Sequence, residues 1–184
     1  MVSKSFTLKI ESSEIKTTVV TDESELEGVL KLLFSIIDEQ HYQNKWFERL
    51  LGLGIEKSFS STIDGVVIEK VAVLKLCVEK FCLIVHLIHF KKIPTSLHKF
   101  LDVSDITVVG VGIKQNLCDL RRDYGIQCRN AVVELGDLAA LAQKSPIAIS
   151  FTVLDLCKFV FGVYNVSTSL AKSADVAFGD WGRS

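Results

Sequence analysis

Residues 50–57, "LLGLGIEK", close an apolar run with a single carboxylate, Glu56. The run reads as a buried strand, and a carboxylate at its end is costly to desolvate unless something partners it. Two readings stand side by side. Glu56 is satisfied by a backbone amide or by Lys57, or something else uses its charge. Other chemistry-bearing residues have simpler explanations. His86 and His89 fall three apart in a predicted strand, which puts them on opposite faces and rules them out as a ligand pair. The five cysteines, Cys77, Cys82, Cys118, Cys128 and Cys157, are odd in number and contain no C-x-x-C pair, so no zinc site is expected. Cys77 and Cys82 bracket a predicted hairpin turn and are expected to face each other as two buried thiols. "GVGI" (residues 110–113) lacks the third glycine of a dinucleotide loop and reads as a tight strand exit. Arg121 and Arg122 in "LRRDYG" read as a solvated helix face, with phosphate contact as the alternative. Serine and cysteine nucleophiles lack any supporting histidine pattern.

The elements that must position these residues follow from periodicity. "FTLKI" and "IKTTVVT" alternate around "ESSE" as an N-terminal hairpin. "TDESELEGVLKLLFSIIDEQ" is a helix with capping candidates Thr21 and Asp22 and apolar residues at helical spacing from Leu26 to Ile37. "SFSSTIDGV" is a polar loop with a turn at Asp64-Gly65. "VAVLKLCV" and "FCLIVHLI" form a second hairpin, "PTSLHKFL" a short helix with proline near its start. The buried strand "ITVVGVGI" is followed by a helix from about Gln115 to Tyr124, the strand "NAVVEL", the helix "GDLAALAQ", and the helix "FTVLDLCKFVFG" stopped by Gly162. Antiparallel strands followed by alternating helix and strand predict a mixed sheet with helices on both faces.

Bulk properties bound the function. A chain of 184 residues, 48% hydrophobic, supports one domain over 1–184. A formal net charge of -1 advertises no basic field for nucleic acid, although a local patch remains open. The alternating start lacks an apolar h-region, and the most apolar stretch, "FCLIVHLIHF", is roughly half of a bilayer span. The expectation is an intracellular protein of cytoplasm or nucleus, with no membrane partner.

Residues 108–142, "VVGVGIKQNLCDLRRDYGIQCRNAVVELGDLAALA", resemble the second block of the DEDD-type 3′-5′ exonuclease domains, most like the Werner-type domains and their plant relatives. "LLGLGIE" resembles the first motif strand of that family, "VAVLKLCVEKFCLIVHL" its hairpin, "FTVLDLCKFVFG" a later helix, and "SADVAFGDW" the segment before its last motif. The likeness covers about residues 45–182. It implies a ribonuclease H-like α/β fold with an N-terminal hairpin-and-helix extension over 1–45 and a truncated exonuclease-like portion over 46–184. It also implies two-ion chemistry with Mg or Mn, in which one ion activates water and the other stabilises the leaving oxygen.

The resemblance also marks departures. The family's D-x-E reads "GIE" here, so Gly54 replaces the first acid and only Glu56 survives, a weak ligand at best for the hard Mg or Mn ions that the resemblance implies. Lys57 follows where an aromatic residue is usual. The acid after G-x-G-I is Asn116, an isosteric but neutral amide, and the last motif has no counterpart before Ser184. Loss of several ligands from one cooperative site predicts a pseudoenzyme rather than a slowed enzyme. Asp119, Asp64 and Glu69 are the acids to consider as replacements. The implied function is a 3′-5′ exonuclease-like, nucleic-acid-binding protein without productive metal binding. The alternative is an active exonuclease on RNA or DNA with a rearranged or partner-completed site. The implied partners are single-stranded RNA or DNA, a second copy, or an active paralogue.

Overall fold

Apolar residues at every second position of the central strands dictate the architecture. In the computed structural model, which describes residues 4–10, 13–43, 49–61 and 63–162, seven strands form one sheet: β1 (Lys4–Ile10), β2 (Ser13–Val20), β3 (Arg49–Ser61), β4 (Val67–Val78), β5 (Phe81–His86), β6 (Ile106–Gly110) and β7 (Ala131–Glu134). Their order is β1-β2-β5-β4-β3-β6-β7. The helices are α1 (Glu23–Gln43), α2 (Thr95–Leu101), α3 (Ile113–Tyr124), α4 (Leu135–Ala142) and α5 (Val153–Phe161). The sheet is mixed, with β2–β5, β3–β6 and β6–β7 parallel and the other pairs antiparallel. Helices lie on both sides of it, as the sequence pattern predicts.

One face of the sheet carries the core. Leu51 and Leu53 of β3, Leu74, Leu76 and Val78 of β4, and Phe81, Leu83 and Val85 of β5 are buried there against Leu26, Leu30, Leu33 and Ile37 of α1, with Leu97 and Leu101 of α2 and Leu120 of α3. The intervening residues point the other way. Gly52, Gly54, Lys75, Cys82 and Ile84 are only partly buried, and Glu56 and Cys77 are exposed. This period-two division is what a strand with one covered face produces. A second, smaller cluster (Ala139, Ala148 and Leu156) joins α4 to α5. Phe159, Val160 and Phe161 of α5 are exposed, while Trp181 and the stretch "SADVAFGDW" lie outside the described residues.

Three features depart from the periodicity reading. The N-terminal hairpin continues the main sheet through the parallel β2–β5 pairing, with Val19 opposite Ile84. The predicted polar loop after Glu56 is instead paired strand, since Ser58 to Ser61 register with Lys70 to Val67 and the turn itself begins at Ile63. Backbone ladder bonds hold those arms although their side chains face water. Helix α3 begins at Ile113, two residues before the predicted start.

Helix α3 is clamped to β4 at an irregularity. The β3–β4 register shifts between Glu56 and Lys57, leaving Ala72 unopposed, a bulge of the kind that bends a strand and redirects its side chains. Beside it, the Val71 N–H donates to Asp123 Oδ2 at 2.7 Å and the Tyr124 hydroxyl donates to the Val71 carbonyl. One turn back, the Asp119 side chain is 1% exposed and ion-paired at 2.7 Å to both Lys57 and Arg122. The Lys57 ammonium foremost, then Gln115 and the charge of Arg122, hold the Asp119 carboxyl below the usual aspartate range against the opposing effect of burial. A depressed folded-state pKa adds stability above the unfolded pKa and loses it as pH falls through the folded value. Asp119→Asn is therefore expected to cost about 1–3 kcal/mol at pH 7. In urea unfolding the gap from wild type should narrow steadily below pH 4 or so; a gap independent of pH would show that the charge is not what matters.

Candidate functional site

The open face of the sheet is organised in rows set by register. Gly52, Cys77 and Cys82 form one row across β3, β4 and β5. Gly54, Lys75 and Ile84 form the next, and Glu56, Val73 and His86 the third. Gly54 and Glu56 therefore share a face, as two residues of one strand at a spacing of two must. A Cβ added at Gly54 would meet nothing within 4 Å, so the glycine leaves open space where a side chain would fit.

Lys75, the register partner of Gly54, turns toward Glu56. Its ammonium donates to Glu56 Oε1 and forms an ion pair with it. The expected partner Lys57 does not do this, because it alternates to the opposite face of β3. There it pairs with Glu69 and with buried Asp119. The Asp119 and Glu69 carboxylates, considered above as replacement ligands, are thus committed to Lys57. Those two acids also raise the pKa of the Lys57 ammonium, Asp119 more than Glu69. Asp64 sits exposed in the β3–β4 turn.

Asn116 lies in the first turn of α3. Its Nδ2 donates to the Val111 carbonyl at 3.2 Å and its backbone N–H to the Gly112 carbonyl at 3.0 Å. Strand β6 runs parallel beside β3 with Gly52 opposite Val109, so Val111 lies two residues past the last rung of that pairing. The fold thus brings Gly54 and the start of α3 to one end of the sheet. Gly110 is required there, since a Cβ would stand 2.4 Å from the Leu53 carbonyl oxygen. Gly112 follows in the left-handed region at φ 61° and caps α3 without a side chain.

The missing cap comes from a residue that the sequence reading left as the end of a strand. Glu134, at the end of β7, accepts from the Gly112 N–H at 2.9 Å through Oε1 and from the Ile113 N–H at 3.0 Å through Oε2. A carboxylate on the free amides of a helix start is favoured by hydrogen bonding and by the helix dipole. It fixes the two residues that aim Asn116. The one available signal was a helix start with no Ser, Thr, Asp or Asn to cap it, which requires a remote acceptor.

Arg121 and Arg122 do not act as a matched pair. Arg121 is exposed, while the Arg122 guanidinium is held by Asp119 and Asp123, each at 2.7 Å. His86 and His89 are closer than expected. His89 belongs to a 3-10 turn after β5 rather than to the strand, which brings the rings into a stack with centroids 5.7 Å apart. Burial pushes the His86 pKa down, with the His89 charge adding to the effect. Among the described residues no group of three or more His, Cys, Asp or Glu side chains is placed to hold a metal ion.

No family model matches the chain. In sequence it is 37% identical over 90 residues to a protein named 3′-5′ exonuclease from Arabidopsis thaliana; the match takes in 48% of this chain but only 30% of that protein. In structure it is similar to the EXD2 exonuclease domain, with a TM-score of 0.56 and 20% identity over 88% of this chain and 85% of that one. The same domain soaked in Mg and GMP gives a TM-score of 0.54 and 20% identity, over 87% and 84%. Soaked in Mn it gives 0.54 and 19%, over 88% and 84%. Among the described residues no helix is long and apolar enough to cross a membrane. The chain thus has the ribonuclease H-like fold of these exonuclease domains, and in sequence it resembles the DEDD-type 3′-5′ exonuclease family.

Proposed function

We propose that this chain is a 3′-5′ exonuclease-like, nucleic-acid-binding domain that holds no productive two-ion centre of its own. The observation that carries this reading is the ion pair between Lys75 and Glu56 across the glycine at position 54. Two-ion phosphodiester hydrolysis needs several carboxylates converging on one point. Here the corresponding positions supply a hydrogen atom at Gly54, an amide at Asn116 that is turned to a backbone carbonyl, and one carboxylate already neutralised by an ammonium. That donor set does not fit a pair of divalent ions. It also changes what the face does to a phosphate. An uncompensated acid cluster repels the backbone of a nucleic acid until metal arrives, whereas a neutralised one does not, so binding independent of metal becomes favourable. Arg121, exposed on α3, is the candidate phosphate contact, with Arg122 beside it.

The first test combines degradation and binding. The purified chain is incubated with 3′-labelled single-stranded RNA and DNA in manganese or in EDTA, and binding is followed by fluorescence anisotropy. The expected outcome is no trimming in either condition, with binding insensitive to EDTA and weakened by salt. Arg121→Ala should lower both affinity and the salt slope. Manganese-dependent trimming that is lost in a Glu56→Ala variant would establish the alternative, an active exonuclease with a rearranged or partner-completed site.

A second test asks whether Lys75 stands where a cation is needed. Gly54→Asp with Asn116→Asp returns two carboxylates, and the open space at Gly54 accepts the first. With Lys75 present its ammonium competes for Glu56. Adding Lys75→Gln is expected to tighten manganese binding by about tenfold, the equivalent of about 1.4 kcal/mol, in calorimetric titration. Equal affinity in the double and triple variants would show that Lys75 does not block the position.

A further inference from the structure

The row beside Gly54 and Lys75 holds a second chemical feature that the exonuclease reading does not use. Cys77 and Cys82 are direct cross-strand partners on β4 and β5, flanking the Glu79–Lys80 turn. Their Sγ atoms are 2.8 Å apart and both thiols are free. Cys77 is exposed and Cys82 is partly exposed. These are not the two buried thiols that the sequence suggests, because they point to the open face while Leu76, Val78, Phe81 and Leu83 take the core. On the other side of Cys77 its partner in the row is Gly52. A Cβ there would sit 3.3 Å from the Cys77 carbonyl oxygen and 3.5 Å from its Cβ. The glycine therefore keeps a side chain from covering Cys77 from the β3 side.

We propose that Cys77 and Cys82 form a reversible dithiol–disulfide site that takes a low-molecular-weight disulfide of the glutathione type as its oxidant. A direct cross-strand pair has its Cα atoms within the range a disulfide spans, so closure needs side-chain rotation and no movement of the backbone. One cysteine thiolate attacks a sulfur of the oxidant, forming a mixed disulfide and expelling one thiolate. The second cysteine, having given its proton to solvent, attacks the protein sulfur of that mixed disulfide and expels the second thiolate. Both protein thiols are oxidised and the oxidant leaves as two thiols, so the exchange balances and reverses under reducing conditions. Lys75, two residues from Cys77 on the same face, adds a positive charge that favours the thiolate form. The Cys82 pKa falls because Cys77 hydrogen-bonds to its sulfur, while that same interaction, with burial, pushes Cys77 up. The remaining cysteines, Cys118 on α3, Cys128 and Cys157 on α5, lie in other parts of the fold and serve as internal references.

The test equilibrates the full chain, native and at low protein concentration, in buffers of graded reduced-to-oxidised glutathione ratio. Free thiols are then trapped by alkylation and the protein is mapped by mass spectrometry. The expected result is a loss of two hydrogens localised to a linked Cys77–Cys82 peptide, fully reversed by dithiothreitol, while Cys118, Cys128 and Cys157 remain alkylated. Cys77→Ser and Cys82→Ser should each stop at the glutathione adduct or the free thiol. Alkylation of both Cys77 and Cys82 at every ratio would overturn the proposal. So would oxidation that appears only as intermolecular links or as pairs involving the other three cysteines.

Discussion

A residue in a strand offers its side chain to one face of the sheet, and its neighbour must take the other. That alternation in β3 decides nearly everything about the candidate site. Leu51 and Leu53 are drawn into the core by the apolar surface of α1, so Gly52, Gly54 and Glu56 are committed to the open face. Lys57 is committed to the side of α3, where the carboxylate of Asp119 is buried and requires a cation. Glu56 can then find its counter-charge only on the same face of the neighbouring strand, and Lys75 is the residue that the register supplies. A slip of one residue would exchange the two faces and bury Glu56 among leucines.

The outline of this arrangement was legible in the sequence, since the strands and helices of the central region announce themselves through period two and period 3.6. The reading of Gly54 and Asn116 as departures from a family pattern came instead from a resemblance, since motif positions are local. What periodicity does not carry is register. That Glu56 meets Lys75 rather than the adjacent Lys57 depends on a pairing of strands and on a bulge at Ala72, neither of which has a local signature. The β2–β5 pairing is similarly remote, joining residues more than sixty positions apart. Glu134 was missed for a related reason. Its role is defined by amides of Gly112 and Ile113, more than twenty residues earlier, that no residue in their own segment can satisfy.

The helix α3 shows how shape and charge separate in such a site. Glu134 holds its first amides, Asp123 and Tyr124 hold its far end to β4, and Asp119 anchors its middle through Lys57. Each of these contacts maintains the position of a helix whose first turn carries Asn116. These contacts hold the first turn of α3 whether residue 116 is an acid or an amide, so folding alone does not oppose a neutral side chain there. An amide at 116 keeps a hydrogen bond to Val111 that secures the turn, and a glycine at 54 imposes no clash.

Charge compensation then follows from geometry rather than from a strong attraction. The Glu56–Lys75 pair is more than half exposed on the acid side, and exposed pairs of this kind contribute little to stability. Its consequence is instead local. An ammonium can neutralise a carboxylate, but it has no empty orbital with which to polarise a phosphoryl oxygen and cannot bring an activated water, both of which a divalent ion provides. On the reading proposed above, such a face tolerates a phosphate without the means to cleave it. In that proposal the separation of binding from hydrolysis rests on one lysine placed opposite one glycine.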